Sequence, residues 1–141
     1  HGMNRKFILA TLVYAIVTMI HGFTWHFNFF PEIYAQLGIY NREPPIIPLG
    51  FASMILQGVI LAYLYPRFYG GGSPAIEGLK FGLIMGLFMF SVSTLANAAK
   101  IQVSSMTTWL AIQTAFHLIQ FTVTGARIGL IYGKIRKADY A

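Results

Sequence analysis

The sequence predicts an all-α membrane protein, an antiparallel bundle of four transmembrane helices with both termini in the cytoplasm. Of its 141 residues, 56% are hydrophobic and only 10% are charged, whereas about a quarter of the residues in soluble domains are charged. Four apolar stretches are long enough to cross a bilayer core of about 30 Å. Lysine and arginine residues flank these stretches unevenly, and this asymmetry predicts the orientation.

Prolines and glycines separate the four predicted spans. Pro31 ends the first span, and Pro48 suits the first turn of the second because a missing N–H costs nothing there. The glycine-rich run 70–74 forms a flexible turn before the third span, and a short turn at 100–105 precedes the fourth. The predicted spans cover residues 7–30, 48–65, 75–99 and 106–132, with a loop over 32–47.

The chain has the length of a single domain, which is predicted over residues 3–137. His1 and Gly2 precede Met3 and are interpreted as the remnant of an expression tag. There are no cysteines, which excludes disulfides and thiolate metal sites.

The distribution of basic residues predicts the orientation of the bundle. One side of the predicted membrane carries Arg5, Lys6, Arg67, Lys134, Arg136 and Lys137, and the other carries Arg42 and Lys100. Because basic residues concentrate on the cytoplasmic side, both termini are predicted there, most simply in the cytoplasmic (inner) membrane of a bacterium. The net charge of +6 then indicates contact with membrane lipid headgroups, and no nucleic-acid partner is expected.

The fourth span carries a regular polar stripe. At 100° per residue, one arc of roughly 80° holds Gln113, His117, Gln120, Thr124 and Arg127. Polar groups are costly in lipid and therefore face the interior of a bundle. The same spacing predicts that His26 points away from the interior of the bundle. The residues of the other spans that it predicts to face the interior are His21, Trp25, Asn28, Ser53, Gln57, Ser93 and Asn97. These residues lie near the midplane and in the outer half, which describes a cup open to the outside.

The leading functional hypothesis is a binding protein whose outward-facing cup holds a small polar or amphipathic ligand. The residues expected to contact that ligand are His21, Trp25, Asn28, Gln57, Asn97, Gln113, His117 and Gln120. A site that must contact something polar is a strong reason to keep such groups in a membrane, since hydrogen bonds there return only about 0.6 kcal/mol each. The alternative is a structural or assembly protein whose polar core serves only packing.

Two histidines, His21 and His117, come from the first and last spans at similar depth. They could ligate a metal or haem, or act as an acid–base pair in a membrane enzyme. They could equally be neutral packing residues with hydrogen-bonded rings. No metal-ligand spacing such as H-E-x-x-H accompanies them, so cofactor and catalysis both stay open.

Two glycine ladders predict close helix contacts. They consist of Gly78, Gly82 and Gly86 in the third span and Gly125, Gly129 and Gly133 in the fourth. Packing within one chain is one interpretation. The other is a homo-oligomer, as in a channel or transporter, with Gly125, Gly129 and Gly133 at the subunit contact.

Several short runs resemble a bacterial family of four-span membrane proteins that is known as a domain of unknown function. The runs are Gly22-Phe23-Thr24-Trp25-His26, Phe29-Phe30, Pro48-Leu49-Gly50-Phe51, Leu56-Gln57-Gly58, Leu64-Tyr65-Pro66 and Phe116-His117. In that family's pattern the tryptophan is followed by tyrosine, whereas His26 follows it here. The resemblance implies the four-span fold and no activity.

Overall fold

A computed structural model describes residues 2–141 of the chain. Helices account for 81% of the structure, and that range contains no strand, which confirms the all-α prediction. The five helices are α1 (Gly2–Phe29), α2 (Pro31–Leu37), α3 (Ile47–Phe68), α4 (Pro74–Lys100) and α5 (Met106–Tyr132). Of the two residues interpreted as a tag remnant, His1 lies outside the described residues and Gly2 is the first residue of α1.

Three of the helices, α1, α3 and α4, are long and apolar enough to cross a membrane. This agrees with the prediction of an integral membrane protein. Helix α5 has 27 residues, which at 1.5 Å per residue gives a length of about 40 Å. It is less apolar than the other three because the polar stripe runs along it.

Helix α5 lies at the centre of the bundle. It packs along α4 and also against α1, and α3 packs mainly on α1. The backbones of α3 and α4 stay apart, although the two helices follow each other in the chain, and they meet through the rings of Tyr65 and Phe68 on that of Phe81. The start of α1 meets the end of α5, where Lys6 Nζ donates a 3.0 Å hydrogen bond to the carbonyl of Tyr132. We call this the basic end of the bundle, and the opposite one the far end.

The short helix α2 covers the far end, in a stretch that the sequence predicted as a loop. Pro31 begins it in a first-turn position. Gly38 follows its last residue with a φ of 78°, a conformation that favours glycine. The side chains of Tyr34 and Leu37 are buried in one cluster with Trp109. Seven residues are too few for helical periodicity to distinguish a helix from a loop.

Two stretches are wound more loosely than an α-helix. Thr24–Phe29 in α1 and Ser91–Leu95 in α4 are π-helical. Because π hydrogen bonds reach five residues along the chain, each residue turns the helix by less than 100°. The error of a helical-wheel prediction therefore grows along such a stretch: Trp25, near its start, is buried as predicted. Asn28, predicted to face inward, is exposed, and His26, predicted to point away, is half-buried among aromatic rings.

Glycines form the contact between α4 and α5. Gly78 and Gly82 lie directly against Gly125 and Gly129, so closely that a Cβ atom at Gly78 would overlap the carbonyl oxygen of Gly125. We call these four residues the glycine seam. The two predicted ladders thus face each other within one chain, as in the first of their two interpretations.

The second interpretation, a homo-oligomer contact through the glycines of α5, needs correction. Gly125 and Gly129 are buried against α4 and present no free surface. Gly133 follows the last residue of α5 with a φ of 67° and lies outside the seam. A homo-oligomer would have to use another face of the bundle, so oligomerisation itself stays a prediction.

Helix α3 continues through Pro66, although the sequence predicted its end at Tyr65. Proline has no N–H, so the carbonyl of Ala62, four residues earlier, lacks its usual helical donor. The hydroxyl of Tyr132 in α5 donates to that carbonyl across 2.6 Å. A side chain from the central helix therefore satisfies the group that the proline leaves unpaired.

We expect Tyr132→Phe to lower the free energy of unfolding by about 1–3 kcal/mol, because the buried carbonyl of Ala62 would lose its donor. Thermal unfolding in detergent, followed by circular dichroism, would measure the loss. Tyr63→Phe is the matched control, since Tyr63 lies in the same region of α3 and is 52% exposed. Equal effects of the two substitutions would contradict the role given to Tyr132.

Candidate functional site

The polar stripe of α5 is buried as predicted, with one exception. Gln113, His117, Gln120 and Thr124 are each less than 9% exposed, whereas Arg127 is exposed. Thr124 donates to the Gln120 carbonyl of its own helix at 2.7 Å. The other three buried side chains form hydrogen bonds with other parts of the bundle, and these bonds make two networks.

The first network joins α5, α1 and α3. Gln120 Nε2 donates to the Tyr14 hydroxyl at 2.9 Å, and that hydroxyl donates to Gln57 Oε1 at 2.6 Å. Gln57 Nε2 in turn donates to Ser53 Oγ at 2.9 Å. Gln57 and Gln120 were both predicted to contact a ligand, and here their side chains bind other side chains of the bundle.

The second network joins α5 to α4 and to the far end. His117 Nδ1 donates to the carbonyl of Gln113 at 2.8 Å, and its Nε2 lies 2.8 Å from Ser93 Oγ. The side chain of Gln113 accepts a hydrogen bond from the hydroxyl of Tyr34 and donates to that of Tyr40 at 3.3 Å. Both ring nitrogens of His117 and both side-chain polar atoms of Gln113 therefore have protein partners.

The predicted histidine pair does not present two free imidazoles. His21 Nε2 donates to the carbonyl of Phe116 at 3.0 Å. The imidazole of His21 also stacks on the phenyl ring of Phe116, with the two centroids 4.5 Å apart. Within residues 2–141, no three His, Cys, Asp or Glu side chains come together as a metal site would require. Nδ1 of His21 has no hydrogen-bond partner within residues 2–141, whereas ligation by His117 would first require its Nε2 to leave Ser93 Oγ. The geometry therefore leaves one imidazole nitrogen open on His21 and none on His117.

The remaining predicted contacts, Trp25, Asn28 and Asn97, lie in three different surroundings. Trp25 is buried, and its Nε1 donates to the hydroxyl of Tyr34 at 3.1 Å. Asn28 is exposed, so the prediction that it faces the interior is wrong. It lies in the π-helical stretch, where each residue turns the helix by less than the 100° that the prediction assumed. Asn97 Nδ2 donates to the carbonyl of Ser93 at 2.8 Å, and Asn97 also borders a cavity.

This cavity lies at the far end, between the loop after α2, the end of α4 and the start of α5. It has a volume of about 330 Å³, and we call it the rim cavity. Its lining residues are Gly38, Ile39, Tyr40, Asn41, Asn97, Ile101, Val103 and Trp109. None of these lining residues is charged. A few polar groups on a mainly apolar wall are typical of sites for small molecules.

Tyr40 connects the rim cavity to the polar stripe. Its φ of 55° lies in the left-handed region, where residues other than glycine are uncommon. Its ring lies against His26, Tyr34 and Trp109, with centroid distances of 5.4, 5.3 and 5.9 Å. Although Tyr40 is 56% exposed, desolvation of its hydroxyl raises its pKa further above the ordinary tyrosine value. Sequence analysis missed Tyr40 because no periodic pattern reports the conformation of a loop.

Comparison of the chain with protein-family models, characterised proteins and solved structures finds no match. The resemblance to a four-span family of unknown function therefore stays a prediction. Two features of the structure bear on function. The polar stripe is buried, and most of its groups form hydrogen bonds within the protein, while a cavity without charged lining residues lies at one end of it.

Proposed function

We propose that this chain is a four-span integral membrane protein that binds a small, uncharged amphipathic molecule in the rim cavity. The observation that carries this proposal is the lining of the cavity, where Tyr40 and Asn97 supply hydrogen-bonding groups beside the apolar Ile101 and Val103. The volume of about 330 Å³ falls within the range of small-molecule sites. An uncharged ligand is favoured because no lining side chain would offset the cost of desolvating an ion.

The ends of the helices support α5 as the fourth span and a cytoplasmic location of both termini. Helices α1 and α4 begin at the basic end, and α3 and α5 finish there, as the contacts of Lys6 with Tyr132 and of Gly70 with Glu77 indicate. Eight of the ten lysine and arginine residues belong to segments at this end. By the positive-inside rule, the rim cavity would then face the outside of a bacterial cytoplasmic membrane.

A structural role is the second candidate, and the two hydrogen-bonded networks favour it for the polar stripe. Tyr14, Gln57 and Gln120 tie three helices together, and His117 and Ser93 join α5 to α4. We therefore assign the two functions to different places. The stripe holds the bundle in register, and the rim cavity takes the ligand.

Filling the rim cavity tests the binding proposal. We expect Val103→Trp to occupy the space and to reduce at least tenfold the amount of any small molecule that co-purifies with the detergent-solubilised protein. Mass spectrometry of an organic extract would identify and quantify that molecule. Asn97→Leu should also weaken retention, because it removes a polar group and keeps a similar volume.

Gln102→Trp is the matched control, since it adds the same ring at the neighbouring exposed position, outside the lining of the cavity. Retention by Gln102→Trp together with loss from Val103→Trp would support the site. A molecule held equally by both variants would place binding elsewhere. If the wild-type protein carries nothing in stoichiometric amount, the structural role is the better account.

A further inference from the structure

A second cavity lies at the basic end, independent of the rim cavity. It has a volume of about 390 Å³ and lies between the start of α1, the end of α3, the end of α5 and the tail that follows. Its apolar and aromatic wall includes Met3, Phe7, Tyr63 and Tyr140, and Arg67 supplies a positive charge. Because α3 is one of the helices able to cross a membrane and Arg67 is in its last turn, this cavity would lie at the level of the lipid headgroups in a bilayer that α3 spans.

Arg67 is held in a defined orientation. Its guanidinium carbon lies 3.8 Å from the ring centroid of Tyr63 and 5.1 Å from that of Tyr140. One terminal nitrogen donates to the carbonyl of Tyr63 at 2.7 Å, and the other to the carbonyl of Tyr140 at 3.4 Å. A guanidinium has five N–H groups, so three remain without a partner among residues 2–141. A cation fixed in this way loses little freedom when it binds an anion.

The charges around this cavity favour an anion. Eight basic and two acidic side chains belong to the basic end, so the whole net charge of +6 resides there. Both side-chain carboxylates already have partners: Glu77 accepts from Lys80 at 3.1 Å, and Asp139 accepts from Arg136 at 3.1 Å. Asp139 lines the cavity, but its charge is balanced by that ion pair. The charge of Arg67 has no such carboxylate partner within the described chain.

We propose that this cavity binds the headgroup of an anionic membrane phospholipid. Arg67 would contact the phosphate, since a planar guanidinium offers paired N–H donors to phosphate oxygens. Met3 and Phe7 would meet the glycerol backbone and the start of an acyl chain. An anionic lipid fits better than free phosphate because eight of the eleven lining residues are apolar or aromatic, and basic pockets between membrane helices recognise such lipids.

Lipid titration of the full-length protein in detergent tests the site. Phosphatidylglycerol should raise the midpoint of thermal unfolding at a concentration at least tenfold lower than phosphatidylcholine requires for the same rise. Arg67→Gln should abolish this preference. Arg127→Gln is the matched control, because it removes the same charge from an exposed position in α5, outside the lining of the cavity; it should retain the preference.

Three results would overturn the proposal. Equal protection by the two lipids would mean that the cavity does not recognise anionic headgroups. Equal losses in Arg67→Gln and Arg127→Gln would mean that diffuse charge attracts the lipid. Equal protection by inorganic phosphate would make a free anion, not a lipid, the occupant. If Arg67→Gln fails to fold, Tyr140→Ala serves instead: it removes one stacking ring, and it should weaken the preference for phosphatidylglycerol about threefold.

Discussion

Replacing Gly129 by leucine should prevent α4 and α5 from packing and should unfold the bundle. A Cβ atom at Gly129 would overlap the backbone of α4 at Pro74 and Gly78. Backbone atoms cannot rotate away as a side chain would, so the helices would have to separate. We expect a loss of about 3 kcal/mol or more, the upper end for overpacked cores. The predicted outcome is the loss of the monodisperse peak in gel filtration and of the cooperative thermal unfolding that circular dichroism follows.

Gly50→Leu provides the matched control for this substitution. Gly50 is in α3, another helix able to cross a membrane, and a Cβ atom there would meet open space. The variant should accumulate and unfold like the wild-type protein. If Gly129→Leu behaves in the same way and changes only an oligomeric state, the seam joins subunits and the packing described here is wrong.

Gln113→Leu should destabilise the protein by about 1–3 kcal/mol, although leucine has nearly the same volume. The side chain of Gln113 accepts a hydrogen bond from Tyr34 and donates one to Tyr40. Its loss leaves the buried hydroxyl of Tyr34 without an acceptor, and an unpaired buried group costs about that much. The lower end of the range applies if the unfolded chain finds partners within a membrane environment. Thermal or denaturant unfolding would give the value.

The double variant Gln113→Leu with Tyr34→Phe tests the physical reason. Removing both partners should restore part of the lost stability, because no unpaired hydroxyl remains between them. Recovery should be incomplete, since Trp25 Nε1 also donates to the Tyr34 hydroxyl at 3.1 Å. Additive losses in the double variant would show that the two residues act independently, which would contradict the network.

Composition and periodicity were sufficient to predict the helical fold, the presence of helices long and apolar enough to cross a membrane, and the burial of most of the polar stripe. Gln113, His117, Gln120 and Thr124 share one face in an uninterrupted α-helix, where 100° per residue holds. The close contact between glycine ladders also followed from the spacing of small residues, although only the structure decides between one chain and two.

Other features depend on interactions that a one-dimensional pattern does not contain. The π-helical turn of Thr24–Phe29 changes the facing of His26 and Asn28. The position of the Tyr40 side chain depends on a loop in which Tyr40 itself has a left-handed backbone conformation. The polar groups of the stripe were expected to line a cup, but inward direction alone does not distinguish an open site from a network in which the groups satisfy one another.

The central position of α5 has a consequence for biosynthesis. During translation the chain emerges from its N-terminal end, so α1, α3 and α4 are made before the helix that α1 and α4 pack against. Until α5 arrives, Tyr14 lacks the amide of Gln120 and the carbonyl of Ala62 lacks the hydroxyl of Tyr132. The Tyr14 hydroxyl can already donate to Gln57 of α3, but the carbonyl of Ala62 stays unpaired, and the hydrogen bonds that join the bundle are completed only after the last helix has been synthesised.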